Sequence, residues 1–321
     1  ARHHDCGQDT ENDHDHHHFN QGEAAHSIGA ALAARSGLPW IADFRDPMVQ
    51  PDYPLDVAQR RSFTVVEQRA FERAARCVLT TPSALRTYAM RYPASASRLA
   101  LIENGYDERS FAGLDAGGSS GTVPHEGALT LLHSGIVYPS ERDPSQLFQA
   151  LQSLAQQGVI KPGEFVVRFR ASVHDALVNQ LAASRGVAPF VETCPAIPYR
   201  DALREMMGAD GLLVMQASNC NEQIPAKVYE YLRARRPIVC LSDPEGDTVA
   251  VLRSAGVTAI APLDSASGIA TTLAEWLTDL RTGRATLADP AAVAQASRQG
   301  RAKQLVTLLE QITTSSTSCL R

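Results

Sequence analysis

The strongest constraint in this chain is an alternation that runs from residue 128 to residue 262. Strand-length apolar runs, ALTLLHS (128–134), EFVVRFRA (164–171), FVET (190–193), GLLVMQ (211–216), PIVCLS (237–242) and TAIAP (258–262), are separated by helical stretches such as DPSQLFQALQSLAQQG and IPAKVYEYLRAR. A strand that is apolar at nearly every position has no face to offer water. The pattern therefore predicts an α/β domain with a parallel sheet covered by helices on both sides. In such a sheet, ligands sit beyond the carboxyl ends of the strands.

The 321 residues leave room for more than this one domain. Residues 1–25 are almost without apolar side chains and cannot offset the entropy of ordering, which predicts a disordered His/Asp-rich head. Residues 26–111 hold an Ala-rich helix stopping at Gly37, the strand LPWIADF, a long helix DVAQRRSFTVVEQRAFERAAR and the strand CVLTT. A helix opening at Pro82 follows, then the strand RLALIENGYD, ended by an Asn104-Gly105 turn. They read as a first, partial α/β domain. The Gly- and Ser-rich residues 112–127 read as a linker, 128–280 as the second domain, and 281–321 as C-terminal helices with a frayed tail.

Charge and cysteine usage narrow the partners. A net charge of −5 argues against nucleic acid, which needs a basic footprint. No apolar run approaches the roughly 20 residues of a membrane span, and the opening residues hold no secretory apolar segment. Six scattered cysteines without a CxxC pair predict reduced thiols in a cytoplasmic protein. The head contains His3, His4, Cys6, His14 and His16–18, yet without the spacing of a structural site, so no metal site is assigned. Arg60, Arg61, Arg69, Arg73 and Arg76 leave two readings open: contact with an anionic membrane face, or a solvated face, which the interruptions by Glu67 and Glu72 favour.

The stretch CNEQIPAKVYEYL (220–232) leaves GLLVMQ at the ligand edge of the predicted sheet. Pro225 suits a first helical turn, where its missing N–H costs nothing. On a helix over 225–235, Val228 and Leu232 share an apolar stripe with Tyr231 beside it, while Lys227 and Glu230 lie together on another face. Glu222 stays in the loop, eight positions before Glu230. Two readings stand on spacing alone. One is a solvated loop with a Lys–Glu pair worth a few tenths of a kcal/mol. The other is a ligand site, with a carboxylate at each end and a phosphate held at the helix start between them.

This block resembles the glutamate–seven–glutamate motif of retaining glycosyltransferases of the GT-B fold, in the family-4-like group. Its IPAKVYEYL…RRPIV phrasing is similar to a branch that builds cell-surface polysaccharides. The resemblance implies two Rossmann-like domains, the first incomplete here by about three βα units of ~30 residues each and replaced by the His-rich head. It implies Glu222 beside the transferred sugar, Glu230 on the ribose hydroxyls, and Ile224, Pro225 and Lys227 among the donor-binding residues. LLHSGIVYPSERDPSQLFQAL (131–151) resembles the family's diphosphate segment, with Gly135 where the backbone approaches closely and Arg142 where a basic residue contacts the diphosphate. Ile136 stands where the family has arginine, and Lys227 is placed to compensate. GLPWIADFRDP is similar to a cleft-facing strand, which offers Asp43, Arg45 and Asp46 to the reaction or, on an equal reading, leaves Asp46-Pro47 as turn chemistry.

The implied function is transfer of a sugar from a nucleotide-diphosphate sugar to a glycan or lipid-linked acceptor, with no cofactor besides the donor and no metal. Two alternatives accompany it: a catalytically impaired nucleotide-sugar-binding remnant, and a GT-B sugar-nucleotide epimerase. The expected location is the cytoplasm, with the inner face of the membrane open to it.

Overall fold

The computed structural model describes residues 11–45, 47–50, 54–114 and 127–318. The chain divides into two compact units, Ala1–Glu103 with Lys303–Arg321, and Asn104–Ala302.

The first unit contains a three-stranded parallel sheet in the order β1 (Ile41–Phe44), β2 (Arg76–Leu79), β3 (Leu99–Leu101). Helix α1 (Glu11–Ser36) precedes it, and α2 (Val57–Arg73) and α3 (Pro82–Arg91) form the crossovers. Both crossover helices start on side-chain caps. Asp56 accepts from the Gln59 N–H at 2.7 Å, and Thr81 accepts from the Ala84 N–H at 3.1 Å, with Pro82 at the first helical position.

Phe44, Phe63, Phe71 and Tyr88 are fully buried, and the rings of Phe71 and Tyr88 stack at 4.7 Å. Glu67 lies among them at 1% exposure, not on the solvated face expected from the sequence. It is tolerated because it accepts from Tyr88 Oη, Tyr92 Oη and Arg91 Nη1, each at 2.8 Å. On a second, smaller cluster of the same unit, Val78 and Ile102 pack with Leu308.

Two segments differ from the sequence reading. Residues 11–25, expected to be disordered, belong to α1. A helix nucleated in the Ala-rich stretch extends at low cost, because each added residue gains a hydrogen bond, which composition alone does not register. Residues 1–10 of the expected head lie outside the described residues. At the other end, α12 (Arg298–Ser318) stays helical through most of the tail expected to fray.

The second unit contains a six-stranded parallel sheet in the order β6-β5-β4-β7-β8-β9. Its strands are β4 (Leu129–Ser134), β5 (Phe165–Arg170), β6 (Val191–Cys194), β7 (Gly211–Gln216), β8 (Ile238–Ser242) and β9 (Ile260–Ala261). Alternate residues along each central strand feed two cores. Leu131, Leu213, Met215, Val239 and Leu241 pack under α5 (Ser145–Gln156), α6 (Asp175–Ser184) and α10 (Ala266–Arg281). Leu132, Leu212, Val214, Ile238 and Cys240 pack under α7 (Tyr199–Gly208), α8 (Lys227–Ala234) and α9 (Asp247–Ser254). At Gly211 a Cβ would stand 2.2 Å from the Trp276 ring, so the glycine is a socket for the indole of α10.

The division between units falls at Glu103/Asn104, ahead of the 112–127 stretch read as the linker, most of which (115–126) lies outside the described residues. Tyr106, Phe111 and Leu114 explain the position, because they are buried in the second core. Arg233 of α8 clamps Glu108, in the short α4 (Glu108–Phe111), through both carboxylate oxygens and lies over the Phe111 ring at 4.9 Å. Gly105 is not only a turn residue. A Cβ there would meet the Ala296 carbonyl at 2.6 Å, where Tyr106 bridges Ser297 just beyond α11 (Pro290–Gln295).

Candidate functional site

The strand order of the second unit reverses direction between β4 and β7: β5 and β6 extend to one side, β8 and β9 to the other. Loops leaving two such neighbours diverge and open a crevice at the carboxyl edge of the sheet. The loop after β4 carries Gly135 and Arg142, and the loop after β7 carries Glu222 and leads into α8.

The crevice is built from the bottom up by His133, the penultimate residue of β4. Its ring is fully buried, and Nδ1 lies 3.0 Å from the Leu213 carbonyl. A carbonyl only accepts, so Nδ1 holds the proton and Nε2 presents a lone pair. Nε2 is 3.3 Å from Lys227 Nζ. Burial and the neighbouring Lys227 hold His133 well below the ordinary histidine range, against the Leu213 and Ile136 carbonyls, which favour its protonation, and the ring stays neutral.

Gly135 continues the wall. Its φ of 120° favours glycine, and Lys227 Nζ would be 2.9 Å from a Cβ placed there. The lysine nitrogen therefore lies against bare backbone. Tyr231, one turn along α8, anchors the same edge by accepting from the Ser134 N–H at 2.8 Å. Desolvation, and after it the positive charge of Arg142, lower Lys227 to about 7, with Glu230 opposing.

Arg142 forms no ion pair with Glu141 or Asp143 among the described residues. Its Nη1 donates to the Ile136 carbonyl at 3.0 Å, its guanidinium lies 4.8 Å over the Tyr138 ring, and its Nε is buried without a partner. The two loops are tied together, because the Ala217 N–H donates to the Glu141 carbonyl at 2.7 Å.

The loop after β7 is held in place by its own polar groups. Gln216 Nε2 donates to the Cys220 and Gln223 carbonyls at 2.7 and 3.1 Å, and Asn221 Nδ2 donates to Asp243 at 2.7 Å. Glu222 is exposed on this framework. Ile224 is buried in the α8 core, so what it can offer a ligand is backbone rather than side chain. Pro225 accepts from the Val228 N–H at 2.9 Å in a turn before the helix, which begins at Lys227, two residues later than the sequence suggests. Glu230 accepts from Tyr199 Oη at 2.6 Å, and the Tyr199 hydroxyl is pushed up to about 12 by burial and by that carboxylate.

Of the residues singled out from the sequence, Gly135, Lys227 and Arg142 come together, with Glu230 one turn along α8. Arg45 belongs to the first unit. Its guanidinium is 3.5 Å from Asp43, whose carboxyl burial raises, and its carbonyl accepts from Thr80 Oγ1 at 2.6 Å. Asp46 lies outside the described residues. His26, also in the first unit, is stacked on Phe44 at 4.2 Å and lowered to about 4 by burial, a neutral core histidine.

Sequence reasoning assigned no role to His133 or Tyr199. His133 had a visible signal, being a histidine inside a largely apolar strand run two positions before Gly135. Tyr199 had none, for it meets Glu230 only through the fold. A separate cavity of about 500 Å³ opens at the ends of β7, β8 and β9. Asp143, Asp243 and Asp264 line it, so it suits no phosphate.

No protein-family model and no curated protein matches the sequence. Solved structures do match by fold. Anabaena HepE in complex with UDP superposes with a TM-score of 0.60 at 12% identity, over 92% of this chain and 77% of that one. A glycosyltransferase from Rickettsia africae gives 0.59 at 11%, over 97% and 84%. The α,α-trehalose 6-phosphate synthase from Burkholderia multivorans gives 0.63 at 11%, over 91% and 69%. The class of fold is thereby defined: an α/β chain with parallel Rossmann-like sheets, of the kind found in GT-B glycosyltransferases.

Proposed function

We propose that this chain is a retaining glycosyltransferase that moves a sugar, of hexosyl type, from a nucleotide-diphosphate sugar to a glycan or lipid-linked acceptor. The observation that carries the reading is the placement of Lys227 Nζ against Gly135, beside Arg142, at the start of α8. The Arg142 guanidinium, the Lys227 nitrogen and the positive end of a helix converge where the sheet's topology favours a ligand. UDP in the HepE structure, a protein of the same fold, supports a nucleoside diphosphate as the group bound.

In this reading the diphosphate lies over Gly135 between Arg142 and Lys227. Glu230 receives the ribose hydroxyls, sharing its carboxylate with Tyr199 Oη, and Glu222 faces the transferred sugar. As the bond from the sugar to the diphosphate breaks, negative charge grows on the leaving oxygen. Fixed cations and amides aimed at that oxygen lower the barrier without reorganising, so no metal and no cofactor beyond the donor enters the scheme. Arg45 and Asp46 are the catalytic candidates from the first unit, offered to acceptor or donor. A role in polysaccharide assembly in the cytoplasm, at the inner face of a membrane where a lipid-linked acceptor would be met, completes the proposal. Among the described residues no helix is long and apolar enough to cross a membrane, and Cys77, Cys194, Cys220 and Cys240 are free and buried.

The test is a thermal-shift and calorimetric screen of nucleotide sugars, followed by measurement of nucleoside diphosphate release with and without added glycans. Binding of one donor with acceptor-stimulated release is expected. Failure of every nucleotide sugar to bind overturns the proposal, and interconversion of the donor's sugar without release replaces it with an epimerase.

A further inference from the structure

The strand beneath the anion site ends in a side chain that the glycosyltransferase reading leaves without work. His133 lies under Lys227, its proton committed to the Leu213 carbonyl and its Nε2 lone pair aimed at Nζ. We infer that His133 is a positioning residue that holds the Lys227 side chain against Gly135, and that its Nζ gains a proton when a diphosphate arrives. This inference rests on the diphosphate assignment made above.

The geometry leaves few alternatives. With Nδ1 donating to the Leu213 carbonyl, the neutral ring keeps Nε2 as an acceptor for Nζ at 3.3 Å. The groups that face Nζ are His133 from β4, Arg142 from the loop after it and Glu230 from α8 itself. Arg142 is always charged and works against a second cation nearby. Glu230 works the other way, but its Oε1 also receives the Tyr199 hydroxyl. With Gly135 packed against it, the amine has little water to stabilise a charge, in keeping with its fall to about 7.

An arriving diphosphate reverses this balance. Its oxygens supply the missing counter-charge, so Nζ becomes an ammonium that donates to the ligand while Nε2 of His133 accepts one of its other hydrogens. The proton comes from solvent to the Nζ lone pair, and no other bond changes. His133 thus fixes where the ammonium forms without touching the ligand.

The experiment is calorimetric titration of the whole chain with UDP at pH 8.5, in two buffers of different ionisation enthalpy. The terminal phosphate of a nucleoside diphosphate, with its second ionisation near pH 6, is already charged there. The wild-type chain should take up close to one proton per UDP bound, as an amine at about 7 is brought fully to its charged form. Uptake should fall to about half a proton at pH 7, where the phosphate is still mostly ionised. Lys227→Arg, which is charged in both states, should bind UDP with almost no uptake. His133→Leu should weaken UDP about tenfold, one buried hydrogen bond's worth, while His133→Gln, which restores an acceptor, should come back to within about threefold. UDP binding with no proton uptake, or equal uptake in Lys227→Arg, overturns this inference and leaves the diphosphate site standing. Equal weakening by His133→Leu and His133→Gln overturns the positioning role. No UDP binding at all overturns the inference together with the donor reading.

Discussion

The two units use one architecture with different means of closing it. The second unit feeds alternate strand residues into two aliphatic cores, so both faces of a six-stranded sheet are covered by its own helices. The first unit has three strands and relies on a stack of aromatic rings that encloses a charged glutamate. Broad aliphatic burial tolerates local error. A small core organised around one buried carboxylate does not, since each of its partners is lost with it. The donor residues proposed here sit on the better-buried unit, as a preorganised site requires.

The contrast is open to direct attack. Phe71→Ala in the first unit should cost about 3–5 kcal/mol and Leu213→Ala in the second about 2–5 kcal/mol. Only the second should abolish UDP binding. Hydrogen exchange should show the first unit opening at lower free energy even in the wild type. A single transition that takes both units down together, with UDP binding lost in both variants, would erase the distinction.

Lys227 gives the next largest effect, confined to the second unit and dependent on pH. Its folded value near 7 lies below the unfolded value of ~10.4. Between those values the unfolded chain binds more protons, so stability rises with pH. The penalty of the buried charge is greatest below pH 7. Relative to Lys227→Met, the wild-type chain should gain up to roughly 4 kcal/mol on going from pH 7 to pH 10. Denaturant unfolding across that range checks it, and a flat difference would place the ammonium in water.

Glu230→Ala should weaken UDP by about 1.5–3 kcal/mol, the range for hydrogen bonds to a charged group. It should leave the first unit untouched. Glu222→Gln is the smallest effect on the bare nucleotide, under about 0.5 kcal/mol, while turnover of the sugar donor falls. Equal losses for UDP and for the sugar donor would mean that the substitution damages the loop. Calorimetry with the two ligands separates these cases.

How much of this was readable before the fold was known varies along the chain for physical reasons. GLLVMQ matches β7 residue for residue, because a strand buried on both faces is apolar nearly throughout, with only the terminal Gln216 polar. The grouping of Lys227 with Glu230 on α8 followed from helical spacing. The reach of α1 back to Glu11 was hidden, since helix propagation depends on a nucleus downstream. Glu67 read as a surface charge because three partners from α3 and the residue after it make its burial possible, and none is visible locally. The Tyr199–Glu230 bond joins positions 31 residues apart and has no signature in either segment.

The indole of α10 that fills the socket at Gly211 has an optical consequence. The chain contains two tryptophans. Trp276 is 4% exposed in the second unit, and Trp40 packs beside Gly29 and the aromatic stack of the first. Each unit therefore carries its own fluorophore. With Trp40→Phe the emission reports only the nucleotide-side unit, and with Trp276→Phe only the other. The Trp276 signal should start blue-shifted and move to the red when the Gly211 socket opens, so a spectrum recorded during unfolding names the unit that has come apart.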